Sequence, residues 1–380
     1  MTDGRKVGLY IHIPFCLRKC LYCDFCSLAG AESEIPRYLR ALVSEMRSRP
    51  ANGYTVDTVY LGGGTPSLLS PREMEGLFAA LHSVYCIEAD AEITCEANPG
   101  TVTEDKLSAY RSLGINRLSL GVQSLSPRAL SSIGRAHTAE EAVEAFRAAR
   151  IAGFANISLD LMTGLPGETP EELADTVEGL LALAPEHISA YALSVEEGTP
   201  LSRSPLLATL PDEDAAASAM ERTAEALVRA GYLRYEISNY AKEGYESRHN
   251  LRYWRGEEYI GLGPAAYSYF SGERFGNARD VQGYMAGIRK RVDGERITRE
   301  EKEKETVMLS LRTAEGIARE AYLAAFGRDP HRLFAPLVAR YPALFRVTPT
   351  HLSLTDRGMT LSSSLMAECL LLLEEAAPSS

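Results

Sequence analysis

Ile13-Pro14-Phe15-Cys16-Leu17-Arg18-Lys19-Cys20-Leu21-Tyr22-Cys23 places three cysteines at C-x3-C-x2-C spacing directly after a β-rich run, residues 7–13. That run opens a series. Further short runs of strand character occupy residues 56–61, 91–95, 117–121, 156–161 and 187–193, and amphipathic stretches at helical spacing lie between them, as at 36–49, 71–84 and 139–152. Strand and helix alternating in this way predict βα units around a parallel sheet, each crossover curling it in the same sense. Six units fall short of the roughly eight that close a TIM barrel. The expected fold is therefore α/β, an open, partial (β/α)6 TIM-like barrel whose chemistry sits on loops after the strand C-termini, where the cysteine run lies.

The rhythm breaks after a helical stretch at 212–230, and Tyr, Gly and Arg dominate residues 231–290. The sequence predicts a core domain at 1–240 and a smaller C-terminal domain at 241–380. The latter reads as α+β and winged-helix-like, with a charged helix near 299–311, helical pattern over 318–341 and an alternating hairpin at 345–354. A winged helix suggests DNA, but 40 Lys+Arg against 51 Asp+Glu give a net charge of −11. Such a surface repels a phosphate backbone, so no nucleic-acid partner is expected. Hydrophobic residues at 45% and charged residues at 24% exclude a disordered or fibrous chain. No apolar run reaches the ~20 residues of a membrane span, and Met1 to Arg5 lack the apolar stretch of an export signal. The expected location is the cytoplasm, where cysteines stay reduced.

Four of the seven cysteines, Cys16, Cys20, Cys23 and Cys26, crowd into eleven residues; Cys86, Cys95 and Cys369 sit among apolar neighbours as inert thiols do. Three thiolates on one short loop can hold a [4Fe–4S] cube and leave one iron open to a chelating small molecule. A zinc site would need a fourth ligand, which Cys26 or His12 would have to supply, and a disulfide conflicts with the compartment. Cys26 reads as an ordinary loop thiol and is left out of the ligand set. The glycine run Gly62-Gly63-Gly64-Thr65-Pro66 follows the second strand, where missing side chains allow close backbone approach to a ligand.

The cysteine spacing, with an aromatic before the last cysteine, resembles the radical S-adenosylmethionine (SAM) superfamily, whose fold is a partial barrel. Within it the chain resembles the coproporphyrinogen dehydrogenase branch. The resemblance implies Cys16, Cys20 and Cys23 as cluster ligands and SAM as the molecule on the open iron, cleaved after one-electron reduction. It also implies that Tyr10 and Tyr22 flank the cluster and that Gly63, Gly64 and Thr65 meet the methionine end. Glu96 would meet the ribose, Gln123, Arg135 and Asp160 would complete the pocket, and Ser194 would lie on the adenine side. No residue receives a catalytic role.

Two features separate the sub-branches. Only fifteen residues precede Cys16, and Asp24-Phe25 follows Cys23 where the decarboxylating enzymes carry a further cysteine. The run His249-Asn250-Leu251-Arg252-Tyr253-Trp254 resembles the H-N-x-x-Y-W signature of HemW-type haem chaperones. This resemblance implies a haem-binding protein with His249 as the haem contact, haem-receiving partners such as respiratory enzymes, a reductant protein, and membrane contact only through the recipient. Oligomeric state is left open. In the matching glycine-rich segment, Gly263-Pro264-Ala265-Ala266-Tyr267-Ser268 carries Tyr267 where the family has His. Oxygen-independent coproporphyrinogen III oxidation is the alternative, and a structural zinc protein the reading from another class.

Overall fold

A computed structural model describes residues 4–375. Met1 to Asp3, on which part of the export-signal reading rests, and the last five residues lie outside the described range. Six parallel strands form the expected series: β1 (Arg5–Ile13), β2 (Tyr54–Gly63), β3 (Ile87–Ala97), β4 (Arg117–Gln123), β5 (Ile157–Thr163) and β6 (His187–Ala192). Each pairs in parallel with the next. Their inward faces explain the near-continuous apolar runs: Val7, Leu9, Ile11 and Ile13 on β1 and Leu118, Leu120 and Val122 on β4 are wholly buried. A strand covered on both faces has no solvent side to alternate with.

Helices return the chain between strands. Ile35–Ser48 buries Tyr38, Leu42 and Met46 at helical spacing, and Pro71–Val84 starts on a capping box in which Ser70 and Glu73 satisfy each other's backbone N–H. Thr138 and Glu141 repeat the device before Ala139–Ile151, as do Thr169 and Glu172 before Pro170–Ala182.

The sheet is larger than the sequence pattern indicates. β7 (Leu233–Arg234) and β8 (Asn239–Ala241) add antiparallel strands beyond β6, while β9 (Tyr259–Leu262) pairs in parallel with the other side of β1. Three antiparallel strands follow it outward, β10 (Tyr267–Phe270), β11 (Glu273–Asn277) and β12 (Arg291–Arg296). The result is one twelve-stranded open sheet. These added strands are short and rich in Tyr, Gly and Arg, so no periodic apolar signal marks them.

A second core gathers Val307, Tyr322, Phe334, Leu352 and Leu365 around a three-stranded sheet of β13 (Ile317–Ala318), β14 (Phe345–Val347) and β15 (His351–Leu354), with helices before and after it. This is the winged-helix-like α+β unit. Residue 240 falls within β8 and the sheet continues to Arg296, so we propose a division near residue 297.

Candidate functional site

The C-terminal ends of the parallel strands open into a cavity of ≈ 460 Å³. Its walls include Cys16, Cys20, Tyr22, Cys23, Gly63, Gly64, Thr65, Glu96, Gln123, Arg135, Asp160 and Ser194, which come from the six successive strands or from the connections that follow them. Of the residues assigned from sequence to the cluster, SAM or haem, Tyr10 and His249 are absent from this lining.

The cysteine loop is clipped at its base. Phe15–Cys16 pairs with Leu28–Ala29, Leu28 N–H donates to Pro14 O at 2.7 Å and Gly30 N–H to Cys16 O at 3.2 Å. The glycine run packs against it so closely that a Cβ at Gly63 would lie 2.2 Å from the His12 ring and one at Gly64 2.6 Å from Ile13 O. Gly63 also has φ +102°, in the left-handed region. The backbone donors here are spent within the protein: Gly63 N–H on Glu96 at 3.0 Å, Gly64 N–H on Ile13 O and Thr65 N–H on Phe15 O. A charged ligand at this loop would meet carbonyl oxygens, which suits an ammonium.

Two cysteines are tied to each other through three polar side chains. Thr65 Oγ1 donates to Cys16 Sγ at 3.6 Å, Asn98 Nδ2 donates to Thr65 Oγ1 at 2.9 Å, Arg135 Nη2 donates to Asn98 Oδ1 at 2.8 Å, and Arg135 Nη1 reaches Cys20 Sγ at 3.5 Å. Burial pushes the Cys16 and Cys23 thiols up, so they stay protonated until a metal displaces the proton. Among the described residues no three His, Cys, Asp or Glu side chains close on a single ion. A cube carries one thiolate on each of three irons, so its ligands need not converge on one point. Three reduced thiols lining one cavity, with a guanidinium and a hydroxyl aimed at two of the sulfurs, fit such a cube.

Opposite the cysteines lie the carboxylates. Glu96 accepts from Tyr60 O–H at 2.8 Å, and burial raises its pKa to about 7. Asp160 accepts from Ser119 Oγ at 3.1 Å and is raised to about 6, again mainly by burial. Two acceptors beside a cavity are suited to paired hydroxyls. Gln123 holds φ +69° at a register break in β4, and its Oε1 accepts from Tyr191 O–H at 3.0 Å. A non-glycine residue in that region is strained, and such strain gathers where a side chain is held for use. Ser194 stands on the rim, donating to Glu196 at 2.7 Å.

The sequence reasoning missed Asn98, Tyr60, Tyr191 and Arg117. Arg117 is 2% exposed, lines the cavity and has no partner for its Nε. Asn98 had a signal, as it follows Glu96 in the segment Glu96-Ala97-Asn98-Pro99 after β3; Arg117, at the start of β4, had none.

Tyr10 and His249 lie behind the cavity wall. Tyr10 bonds His12 Nδ1 at 3.0 Å and stacks on Tyr60, which stacks in turn on His249 at 5.3 Å. His249 is fully buried, with Nδ1 on Thr58 Oγ1 at 2.9 Å and Nε2 on Tyr253 O–H at 2.8 Å. With both ring nitrogens engaged and the side chain buried, this imidazole packs within the wall in the structure. Tyr267 is exposed on the outer hairpin and bonds Asp293, away from the cavity. Cys26 is not among the lining residues; its carbonyl accepts from His12 Nε2 at 2.7 Å.

The Radical SAM superfamily matches residues 10–180 and the HemN C-terminal domain residues 297–361. The chain is 34% identical over 369 residues to the heme chaperone HemW of Lactococcus lactis, covering 95% of this chain and 97% of that protein. It belongs to the HemW family. The HemW of Escherichia coli is 41% identical over 76% of this chain and 78% of its own length. Among solved structures, coproporphyrinogen III oxidase (HemN) from Escherichia coli matches this HemW-family fold with a TM-score of 0.84, covering 96% of this chain and 90% of that one. At 24% identity that likeness shows the fold alone.

Proposed function

We propose that this HemW-family protein binds haem and delivers it to haem-requiring acceptors, with a SAM-binding [4Fe–4S] cluster at the barrel mouth. The observation that carries the reading is end-to-end similarity to HemW heme chaperones, at an identity above that to the oxidase of like fold. Cys16, Cys20 and Cys23 would hold the cluster; Gly63, Gly64 and Thr65 the amino-acid end of SAM; Glu96, Gln123, Asp160 and Ser194 its nucleoside. When bound, the cluster supplies single-electron chemistry at the SAM sulfonium.

The chain's own side chains prepare that site. Arg135 places a positive charge beside Cys20 Sγ, and Thr65 offers Cys16 a hydroxyl proton, both of which stabilise thiolates over thiols. Tyr60 and Gly63 N–H orient the Glu96 carboxylate, and the strained Gln123 is fixed by Tyr191. The acceptors we expect are respiratory haem enzymes, met in the cytoplasm or at a membrane through the acceptor, and a separate reductant protein serves the cluster. Among the described residues no helix is long and apolar enough to cross a membrane.

Anaerobic reconstitution followed by titration with SAM and haem tests the proposal. The expected outcome is a reduced cluster whose spectrum responds to SAM, haem bound, and no protoporphyrinogen formed from coproporphyrinogen. Porphyrinogen turnover would assign the protein to the oxidase instead.

A further inference from the structure

The His249-to-Trp254 run forms the short helix Arg248–Trp254, and its two ends face different compartments. His249 points into the barrel interior. Trp254, five residues on and about 140° around the axis, lines a second cavity of ≈ 630 Å³ between the antiparallel side of the sheet and the second domain. Tyr269 of β10 and Tyr322 and Phe326, one turn apart on the helix Arg319–Phe326, give it further aromatic wall. The volume is within the ~300–1,000 Å³ of sites that bury an organic ligand.

Cations edge this aromatic surface. Lys302 Nζ lies 4.3 Å from the centroid of the Tyr269 ring and donates to Gly256 O at 2.8 Å; Arg299 donates to Ala325 O at 3.1 Å. Both bonds go to backbone carbonyls, and neither cation has a carboxylate within ion-pair distance among the described residues. Arg255, also in the lining, is neutralised by Glu315 at 3.0 Å. The Trp254 Nε1–H is buried with no acceptor among the described residues, and the Arg312 guanidinium lies over the indole at 4.7 Å. On a chain of net charge −11, two cations without acidic partners beside a wall of aromatic side chains suit a flat apolar ring that carries carboxylates.

We infer that this inter-domain groove is the tetrapyrrole site, its ring against Trp254 and Tyr269 and its propionates on Lys302 and Arg299. The inference rests on the haem-carrying function proposed above and supplies its location. Among the described residues no His, Cys or Met lines the groove, and the inference assigns the protein the ring faces and the carboxylates rather than the iron. Such a site does not require the metal.

The test is a titration of the full chain with haemin and with metal-free protoporphyrin IX, read by quenching of Trp254, the only tryptophan. Wild type should bind both, with affinities within about tenfold of each other, which is ~1.4 kcal/mol. The double variant Lys302→Glu with Arg299→Glu should weaken both by about tenfold or more, as the loss of two charge-assisted contacts requires. Ala321→Glu, which alters an exposed residue of the groove wall, should do the same without touching either core. Unchanged affinity in both variants, or failure of the metal-free ring to bind, overturns the groove assignment while haem binding stands. If wild type binds neither molecule, the haem-carrying function itself falls.

Discussion

Arg135 donates through Nη2 to Asn98 Oδ1 at 2.8 Å, and Asn98 joins this guanidinium to Thr65 in the chain of bonds between Cys16 and Cys20. Removing it leaves a buried hydroxyl and a buried cation short of one partner each. Asn98→Ala is expected to destabilise the protein by about 1–3 kcal/mol and to lower iron retained after anaerobic reconstitution. Thermal unfolding and iron and sulfide content check both; full iron content with unchanged stability would refute the role.

The glycine run gives a sharper contrast. Gly64→Ala would drive a methyl to within 2.6 Å of Ile13 O and 2.8 Å of Phe15 N, backbone atoms that cannot turn aside. Loss of cluster assembly is expected. Gly76→Ala, in the helix Pro71–Val84 with nothing within 4 Å, should instead stabilise by roughly 0.5–1 kcal/mol. The pair is read side by side in one melting experiment.

Glu96 and Asp160 give a pH dependence with opposite signs in the free and bound protein. Burial raises Glu96 from 4.5 to about 7 and Asp160 from 3.8 to about 6, so the folded protein holds protons that the unfolded chain has released. Their effect on ligand-free stability is therefore a decline as pH rises from about 4 to about 7. SAM hydroxyls need the ionised acceptors, so SAM affinity should rise over pH 6 to 8. Melting temperature and SAM titration across that range check it, and Glu96→Gln should flatten both curves.

His249→Ala removes the only groups that satisfy Thr58 Oγ1 and Tyr253 O–H in the buried stack. The expected cost is about 2–4 kcal/mol of stability from cavity and lost partners, with haem affinity altered by less than about threefold. Denaturant melts and haem titration separate the two. A large loss of affinity in a folded variant would make the imidazole a haem contact.

Glu45, wholly buried, accepts from Gly263 N–H at 2.8 Å, Asn277 Nδ2 at 2.9 Å and Tyr284 O–H, and pairs with Arg49 at 3.1 Å. It fastens the helix Ile35–Ser48 to segments more than 200 residues later. Glu45→Ala takes one acceptor from each of four groups, among them the Arg49 cation, and a loss of about 3–5 kcal/mol is expected in chemical denaturation.

The parallel strands were legible because each is long, apolar and followed by a helical period, and the cavity residues because chemistry at strand ends carries glycine, cysteine and charge together. The antiparallel extension was not: β9 is four residues and β7 two, too short for any period to register. Nor does spacing tell which way an imidazole faces. His249 and Trp254 sit in one six-residue motif, yet a helix of seven residues buries the first in the packed wall and sends the second to a cavity. Arg117 stayed invisible because its position, at the strand's start, is where structural residues are expected.

β1 is flanked on one side by β2 and on the other by β9, and Arg279 anchors Asp24 of the cysteine loop at 3.2 Å. On the ribosome, β1 must therefore wait for more than two hundred further residues before its second edge is covered. A nascent chain that stops short of β9 displays the unpaired edge of a strand that carries Val7, Leu9, Ile11 and Ile13, beside three unanchored thiols, the kind of edge that recruits other chains. Metal loading ahead of that moment would meet a half-built socket, so iron and sulfide should enter after translation is complete.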